Sequence, residues 1–190
     1  MKSNLVIVDN FYQDPDRIRA LALSQPFEVT GNYPGRRTKS FASPDVKESI
    51  QNLIQPHGGQ ITYWPDGYNG AFQYTTAADR SWIHADNGTL WAGVCYLTPN
   101  APLSAGTGLF KHKETGVTEW NPNCGIEYND YKPNQETQDY TKWEMVDRIG
   151  NKYNRLILYR GNQYHVSLDY FGTNANNGRL FQTFFFNTQY

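Results

Sequence analysis

The sequence predicts an α+β fold that is mainly β, a sandwich or barrel of short strands carrying a layer of helices from its N-terminal third. Three observations predict it. Aromatic residues are abundant, 14 Tyr, 10 Phe and 5 Trp, while Gly, Asn and Thr are common, which suits pleated strands joined by many turns. Two helix-start signals, Asp14-Pro15 and Ser43-Pro44, both fall before residue 60. After that point the apolar pattern shortens to strand length and repeats at close spacing.

Residues 5–8 are a short apolar run and read as the first strand. Asp14 then caps a helix whose first turn accepts Pro15, and Ile18, Leu21 and Ala22 fall on one face. Ser43 and Pro44 repeat the signal; Val46, Ile50, Leu53 and Ile54 line one side until Pro56 and the Gly58-Gly59 pair end the helix. Strands are expected over 60–64, 70–75, 81–86, 90–97, 107–111, 154–159, 164–169 and 179–186. Residues 113–152 interrupt the series. Within that insertion Tyr140, Trp143, Val146 and Ile149 recur in three-residue steps, which predicts a helix over 135–149. Such an insertion is either a lid or a surface decoration, and with the loop 172–178 it is the expected seat of selectivity. One domain over 1–190 is expected, with a strand and helices over 1–59 and the β core over 60–190.

Seventeen basic and eighteen acidic residues nearly cancel, and no dense basic run argues for nucleic acid or an anionic membrane. The first ten residues hold one basic side chain and an apolar run too short for a signal core or a membrane span, so a cytoplasmic protein is expected. Cys95 and Cys124 have no metal-motif spacing and read as a buried and a loop thiol.

The chemistry-bearing pattern is His84-Ala85-Asp86 with His165 in Tyr164-His165-Val166-Ser167 and Arg179 opening the last strand. On a strand, His84 and Asp86 share a face. Two imidazoles and a carboxylate are the ligand set of a facial-triad Fe(II) site, which keeps open positions for a cosubstrate and dioxygen. The H-x-D element alone is a weak signal; its distant partners make the case. Arg179 shares a strand face with Phe181, Thr183 and Phe185, and a guanidinium carried inward needs an anion, for which its planar fork suits a carboxylate. His57 and His112 have no ligand partner at a recognisable spacing and are not assigned to the metal.

From about residue 70 to 186 the chain resembles the Fe(II)- and 2-oxoglutarate-dependent dioxygenase superfamily, in particular its prolyl-hydroxylase-like branch. His84-Ala85-Asp86 is similar to the H-x-D element, His165 to the distal histidine and Arg179 to the residue that holds the cosubstrate's C5 carboxylate. Asn154-Arg155-Leu156-Ile157-Leu158-Tyr159 resembles the strand leading to that histidine, and Val8-Asp9-Asn10-Phe11-Tyr12 the opening of such chains. Tyr96-Leu97-Thr98 is similar to the branch's Y-L-N segment, so Tyr96, with Tyr74 as a second candidate, is implied to reach the cosubstrate carboxylate. Two features differ: fourteen residues separate His165 from Arg179, and Phe181 stands where a hydroxyl residue is usual, which leaves Thr183 or Tyr96 to supply that group. The resemblance implies a double-stranded β-helix (jelly-roll) barrel with the N-terminal helices on its outside. It also implies Fe(II), 2-oxoglutarate and dioxygen, with ascorbate as an accompanying reductant. The implied reaction turns 2-oxoglutarate into succinate and carbon dioxide while a small-molecule or peptide substrate is hydroxylated. Three other readings stay open on the sequence: a cupin-like metal protein without 2-oxoglutarate chemistry; a β-sandwich binding module, for instance for carbohydrate, whose aromatics form the platform; and a protein of the dioxygenase fold that has lost turnover.

Overall fold

The computed structural model describes residues 3–86, 88–126 and 134–190. Both N-terminal helices start as the sequence predicts. The Asp14 carboxylate accepts from Arg17 N (3.0 Å) to open α1 (Pro15–Leu23), and Ser43 Oγ accepts from Val46 N (3.3 Å) to open α2 (Pro44–Gly58). Helix α2 runs through Pro56 instead of stopping there. A proline in the last turn forfeits one carbonyl partner, a smaller loss than in a helix interior. The stop comes at Gly59, whose positive φ of 84° turns the chain while its N–H reaches the Gln55 carbonyl.

Among the described residues, ten strands form two antiparallel sheets. The larger runs β1 (Leu5–Val8), β8 (Leu156–Arg160), β5 (Trp91–Tyr96), β10 (Arg179–Gln189), β4 (Phe72–Thr75) and β2 (Arg36–Arg37), with β3 (Gln60–Tyr63) on the far end of β10. The smaller runs β7 (Trp143–Ile149), β6 (Thr107–His112) and β9 (His165–Ser167). Side-chain alternation gives the large sheet two different faces. Phe72, Trp91, Cys95, Leu156, Leu158, Leu180, Phe184 and Phe186 share a buried cluster with Ala22 of α1 and Ile50 and Ile54 of α2. The opposite face contributes Ala92, Val94, Tyr96, Ile157, Tyr159 and Phe181 to a cluster that Leu109 and Ile149 of the small sheet complete. The back of the small sheet buries Phe110, Trp143, Tyr164 and Val166 with Ile83 and Ala85.

Two expected elements are corrected. The helix expected over 135–149 is a short helix, α3 (Gln135–Gln138), a 3-10 turn at Tyr140–Lys142, and then β7. The Asp139 carboxylate takes the N–H and hydroxyl of Thr141, a local bond that competes with helix continuation. Only Trp143 and Ile149 of the apolar series are buried within β7, and Val146 is 42% exposed, so the three-residue spacing marked no helical face. The strand expected over 81–86 is an isolated bridge, with His84 N donating to His165 O (3.0 Å) and His165 N to His84 O (2.8 Å). The portion of the insertion over 127–133 lies outside the described residues. No helix among those described is long and apolar enough to cross a membrane.

Candidate active site

The bridge between His84 and His165 brings two residues 81 positions apart side by side, their ring centroids separated by 4.4 Å. Asp86 N donates to Gly161 O (2.7 Å) and Ile83 N to Thr137 O (3.1 Å), so the irregular segment carrying the H-x-D is pinned on both sides. Ile83 and Ala85 are buried behind it, which turns His84 and Asp86 the other way. His84 Nε2 lies 3.8 Å from Asp86 Oδ1, and His165 Nε2 lies 3.7 Å from Asp86 Oδ2. One ligand atom from each of the three residues falls within 4.8 Å of the others.

The protonation of both imidazoles follows from their backs. Each Nδ1 faces a backbone carbonyl, Trp82 O for His84 (2.9 Å) and Gln163 O for His165 (2.7 Å). A carbonyl only accepts, so each Nδ1 carries a proton and the lone pair of a neutral ring falls on Nε2, toward the other two side chains, an orientation common behind metal-binding histidines. Burial, reinforced by His84, pulls the pKa of His165 down to about 4, which keeps its ring neutral near pH 7. The donor set and its orientation therefore fit a divalent metal.

These groups line a cavity of about 590 Å³ between the two sheets. Arg179 does not line it: its side chain is fully buried against Phe181, which does. Its Nε donates to Ala105 O (3.0 Å) and its Nη2 to Gly106 O (3.3 Å), while its Cζ stands 4.4 Å from the Phe181 ring centroid. Nη1 is buried with no hydrogen-bond partner among the described residues. An orphaned donor on a buried cation fits an anionic ligand. Gly106 matters for this arrangement, since a β-carbon there would run into the Ile149 carbonyl. Nearby, the buried Tyr96 hydroxyl is hydrogen-bonded to Thr107 Oγ1 (2.8 Å), and Thr107 lines the cavity. Burial raises the Tyr96 pKa and the Arg179 charge opposes that rise.

Thr183 also lines the cavity, its hydroxyl directed to Ala71 O (3.4 Å). Tyr74 does not. On β4 it is Gln73 that faces the cavity, so Tyr74 points the opposite way and packs edge-on against Phe27, 4.9 Å between centroids, in the cluster shared with the helices. Period-two alternation takes Tyr74 off the cavity wall. His57 meets Ser3 Oγ (3.0 Å) and His112 meets Glu136 (2.7 Å), both away from the triad.

Among the described residues, neither the insertion nor the loop 172–178 contributes to this cavity, contrary to the sequence expectation. The mouth is lined instead by residues between Val29 and Thr38, with Gly67 and Tyr68. Arg37 there donates from Nε (2.9 Å) and Nη2 (2.6 Å) to Gln73 Oε1, and its Cζ sits 3.6 Å from the centroid of Tyr33. Sequence reasoning missed this arginine. Its only signal is the Arg36-Arg37 pair, which reads as ordinary surface charge.

A family model matches residues 1–186, nearly the whole chain, and is described as a family of unknown function, DUF6445. The chain belongs to this family. No curated protein matches the sequence. Among solved structures, this DUF6445 member is similar to HygX from Streptomyces hygroscopicus with nickel, 2-oxoglutarate and hygromycin B bound. The two are 11% identical, with a TM-score of 0.63 over 100% of this chain and 84% of HygX. The non-heme α-ketoglutarate-dependent carbocyclase SnoK from nogalamycin biosynthesis is 10% identical, with a TM-score of 0.62 over 98% of this chain and 81% of SnoK. A prolyl hydroxylase from Trichoplax adhaerens, in complex with a hypoxia inducible factor peptide fragment, is 13% identical, with a TM-score of 0.54 over 97% and 84%. At these identities the likeness is one of fold: a mainly β, antiparallel architecture similar to that of 2-oxoglutarate-dependent oxygenases.

Proposed function

We propose that this DUF6445 member is a single-domain Fe(II)- and 2-oxoglutarate-dependent oxygenase of the prolyl-hydroxylase-like branch, hydroxylating a small-molecule or peptide substrate. Its two sheets are then the halves of a double-stranded β-helix barrel with α1 and α2 outside. The reading is carried by one observation: His84, Asp86 and His165 offer ligand atoms within 4.8 Å of one another at a cavity flanked by a buried arginine with an unused N–H donor. In this reading His84 and His165 bind through Nε2 and Asp86 through a carboxylate oxygen. When bound, Fe(II) supplies the redox chemistry that couples dioxygen to oxidation of the oxoacid and of a substrate C–H bond.

The chain's own contribution is binding, orientation and exclusion of water. Arg179 Nη1 holds the C5 carboxylate of 2-oxoglutarate as a charge-assisted donor, and the Tyr96–Thr107 hydroxyl pair can donate one O–H to the same carboxylate while keeping the other between them. The Trp82 and Gln163 carbonyls keep both imidazoles turned toward the cavity. Phe181, Phe185 and Val94 give the floor an apolar character that strengthens every charge interaction above it.

Anaerobic titration with Fe(II), with and without 2-oxoglutarate, tests the proposal. We expect a weak visible charge-transfer band that requires both additions and disappears in His84→Ala. Identical spectra for wild type and variant would rule out the ligand assignment. Succinate formation from 2-oxoglutarate separates this reading from a cupin-like protein or a carbohydrate module.

A further inference from the structure

Arg37 is a cation with no salt-bridge partner among the described residues. Gln73 fixes it from below: Gln73 Nε2 donates to Pro34 O (2.6 Å), which leaves Oε1 as the acceptor for both Arg37 Nε and Nη2. Tyr33 covers one face of the guanidinium at 3.6 Å. No carboxylate pairs with it among the described residues; Asp86 acts on it only through its field, and burial brings its pKa down to about 10, so the charge is retained at pH 7. A partly buried guanidinium held by a neutral amide and an aromatic ring is a preformed receptor for an anion.

Register separates Arg37 from Arg179. Arg37, Gln73, Phe181 and Tyr96 are successive cross-strand partners on β2, β4, β10 and β5. Arg179 stands against Phe181, whereas Arg37 stands two strands beyond it, about 10 Å at the usual strand spacing. Charge then decides between the two. With a divalent ion, Asp86, Arg179 and the dianionic oxoacid in place the charges cancel, and Arg37 is left over to meet the substrate.

Resting on the oxygenase reading above, we propose that Arg37 recognises a carboxylate on the substrate, making the substrate class a small organic acid whose skeleton crosses the floor from Arg37 toward the His84, Asp86 and His165 cluster. The cavity of about 590 Å³ suits a small molecule. Phe181 and Phe185 on the floor and Tyr68 at the mouth give such a skeleton apolar contact.

Calorimetric titration of the apo protein, and of protein loaded with Mn(II) and 2-oxoglutarate, tests this with 3-phenylpropionate against 3-phenylpropionamide. We expect the acid to bind at least ~10-fold more tightly than the amide. Arg37→Gln should erase that preference while 2-oxoglutarate affinity stays within about twofold, and Arg37→Lys should keep part of it. Equal binding of acid and amide by wild type overturns the proposal, as does no binding of either at about 10 mM, a weaker affinity than a charge-assisted pair in a formed cavity should give. Weakened 2-oxoglutarate binding in Arg37→Gln also overturns it, since Arg37 would then anchor the oxoacid. Failure of wild type to bind Mn(II) and 2-oxoglutarate sinks the oxygenase reading instead. The apo titration still decides on Arg37: an acid preference lost in Arg37→Gln upholds the anion site, and its absence removes it.

Discussion

Arg179 illustrates how much a single buried side chain constrains. Two of its nitrogens are satisfied by the Ala105 and Gly106 carbonyls and the third has no hydrogen-bond partner among the described residues, which surround the fully buried charge with carbonyl dipoles and the Tyr96 and Phe181 rings and set no carboxylate against it. Such a cation costs stability unless an anion completes it. Arg179→Met preserves volume and removes both the charge and the orphaned donor. We expect oxoacid affinity of Mn(II)-loaded protein to fall by at least ~30-fold, in line with losing one desolvated charge pair, while Mn(II) affinity stays nearly unchanged because the triad is untouched. Unaltered oxoacid affinity by calorimetry would take Arg179 out of the site. Thr107→Val is a milder relative: it strips the Tyr96 hydroxyl of its 2.8 Å partner and should weaken the oxoacid by a smaller factor.

At the scale of elements, the candidate site was legible where side-chain type decided it and illegible where pairing did. His84, Asp86, His165 and Arg179 could be singled out because few residue types bind a metal or a carboxylate, and strand alternation put His84 and Asp86 on one side even though the segment is a lone bridge. Alternation also takes Tyr74 off the cavity wall, once β4 is seen to begin at Phe72 with Gln73 inward. The strand β7 was hidden because Trp143, Val146 and Ile149 have helical spacing by coincidence, while the pairing with β6 that makes them a strand is nonlocal. β2 was hidden for a different reason: two residues carry no periodicity. It is held by its pairing with β4 and by Gly35, which sits at φ 78° where a β-carbon would collide with the Tyr74 carbonyl. Gly35→Ala should therefore cost about 1–3 kcal/mol and loosen the Arg37–Gln73 contact with it. Unchanged urea unfolding would mean that β2 is not held in this way.

Across the whole molecule, the N-terminal segment that brings Arg37 to the cavity is fastened to the turn before β8. Asn154, at φ 60°, takes Tyr12 N on Oδ1 (2.9 Å) and gives Nδ2 to Tyr12 O (2.8 Å), and its carbonyl accepts Phe11 N (3.1 Å). Outside that knot the Asp9 carboxylate accepts from Arg155 Nε (2.6 Å) and Lys152 Nζ (2.7 Å). The Arg155 hydrogen bond, then that of Lys152, holds Asp9 well below the usual carboxylate pKa. A depressed acid contributes its stability above the unfolded-state pKa, near 3.9, and loses it as pH falls toward the folded value. The pair is partly solvated, so its contribution is about 1 kcal/mol or less. Asp9→Asn should accordingly be less stable than wild type at pH 6, by that amount, and the gap should be narrower at about pH 2, below the unfolded-state pKa, closing only as pH reaches the depressed folded value where the wild-type carboxylate becomes neutral. Urea unfolding at both pH values reads the difference directly. A gap that persists unchanged at low pH would mean that the fastening depends on Asn154 and the backbone bonds and that the Asp9 charge contributes nothing to it.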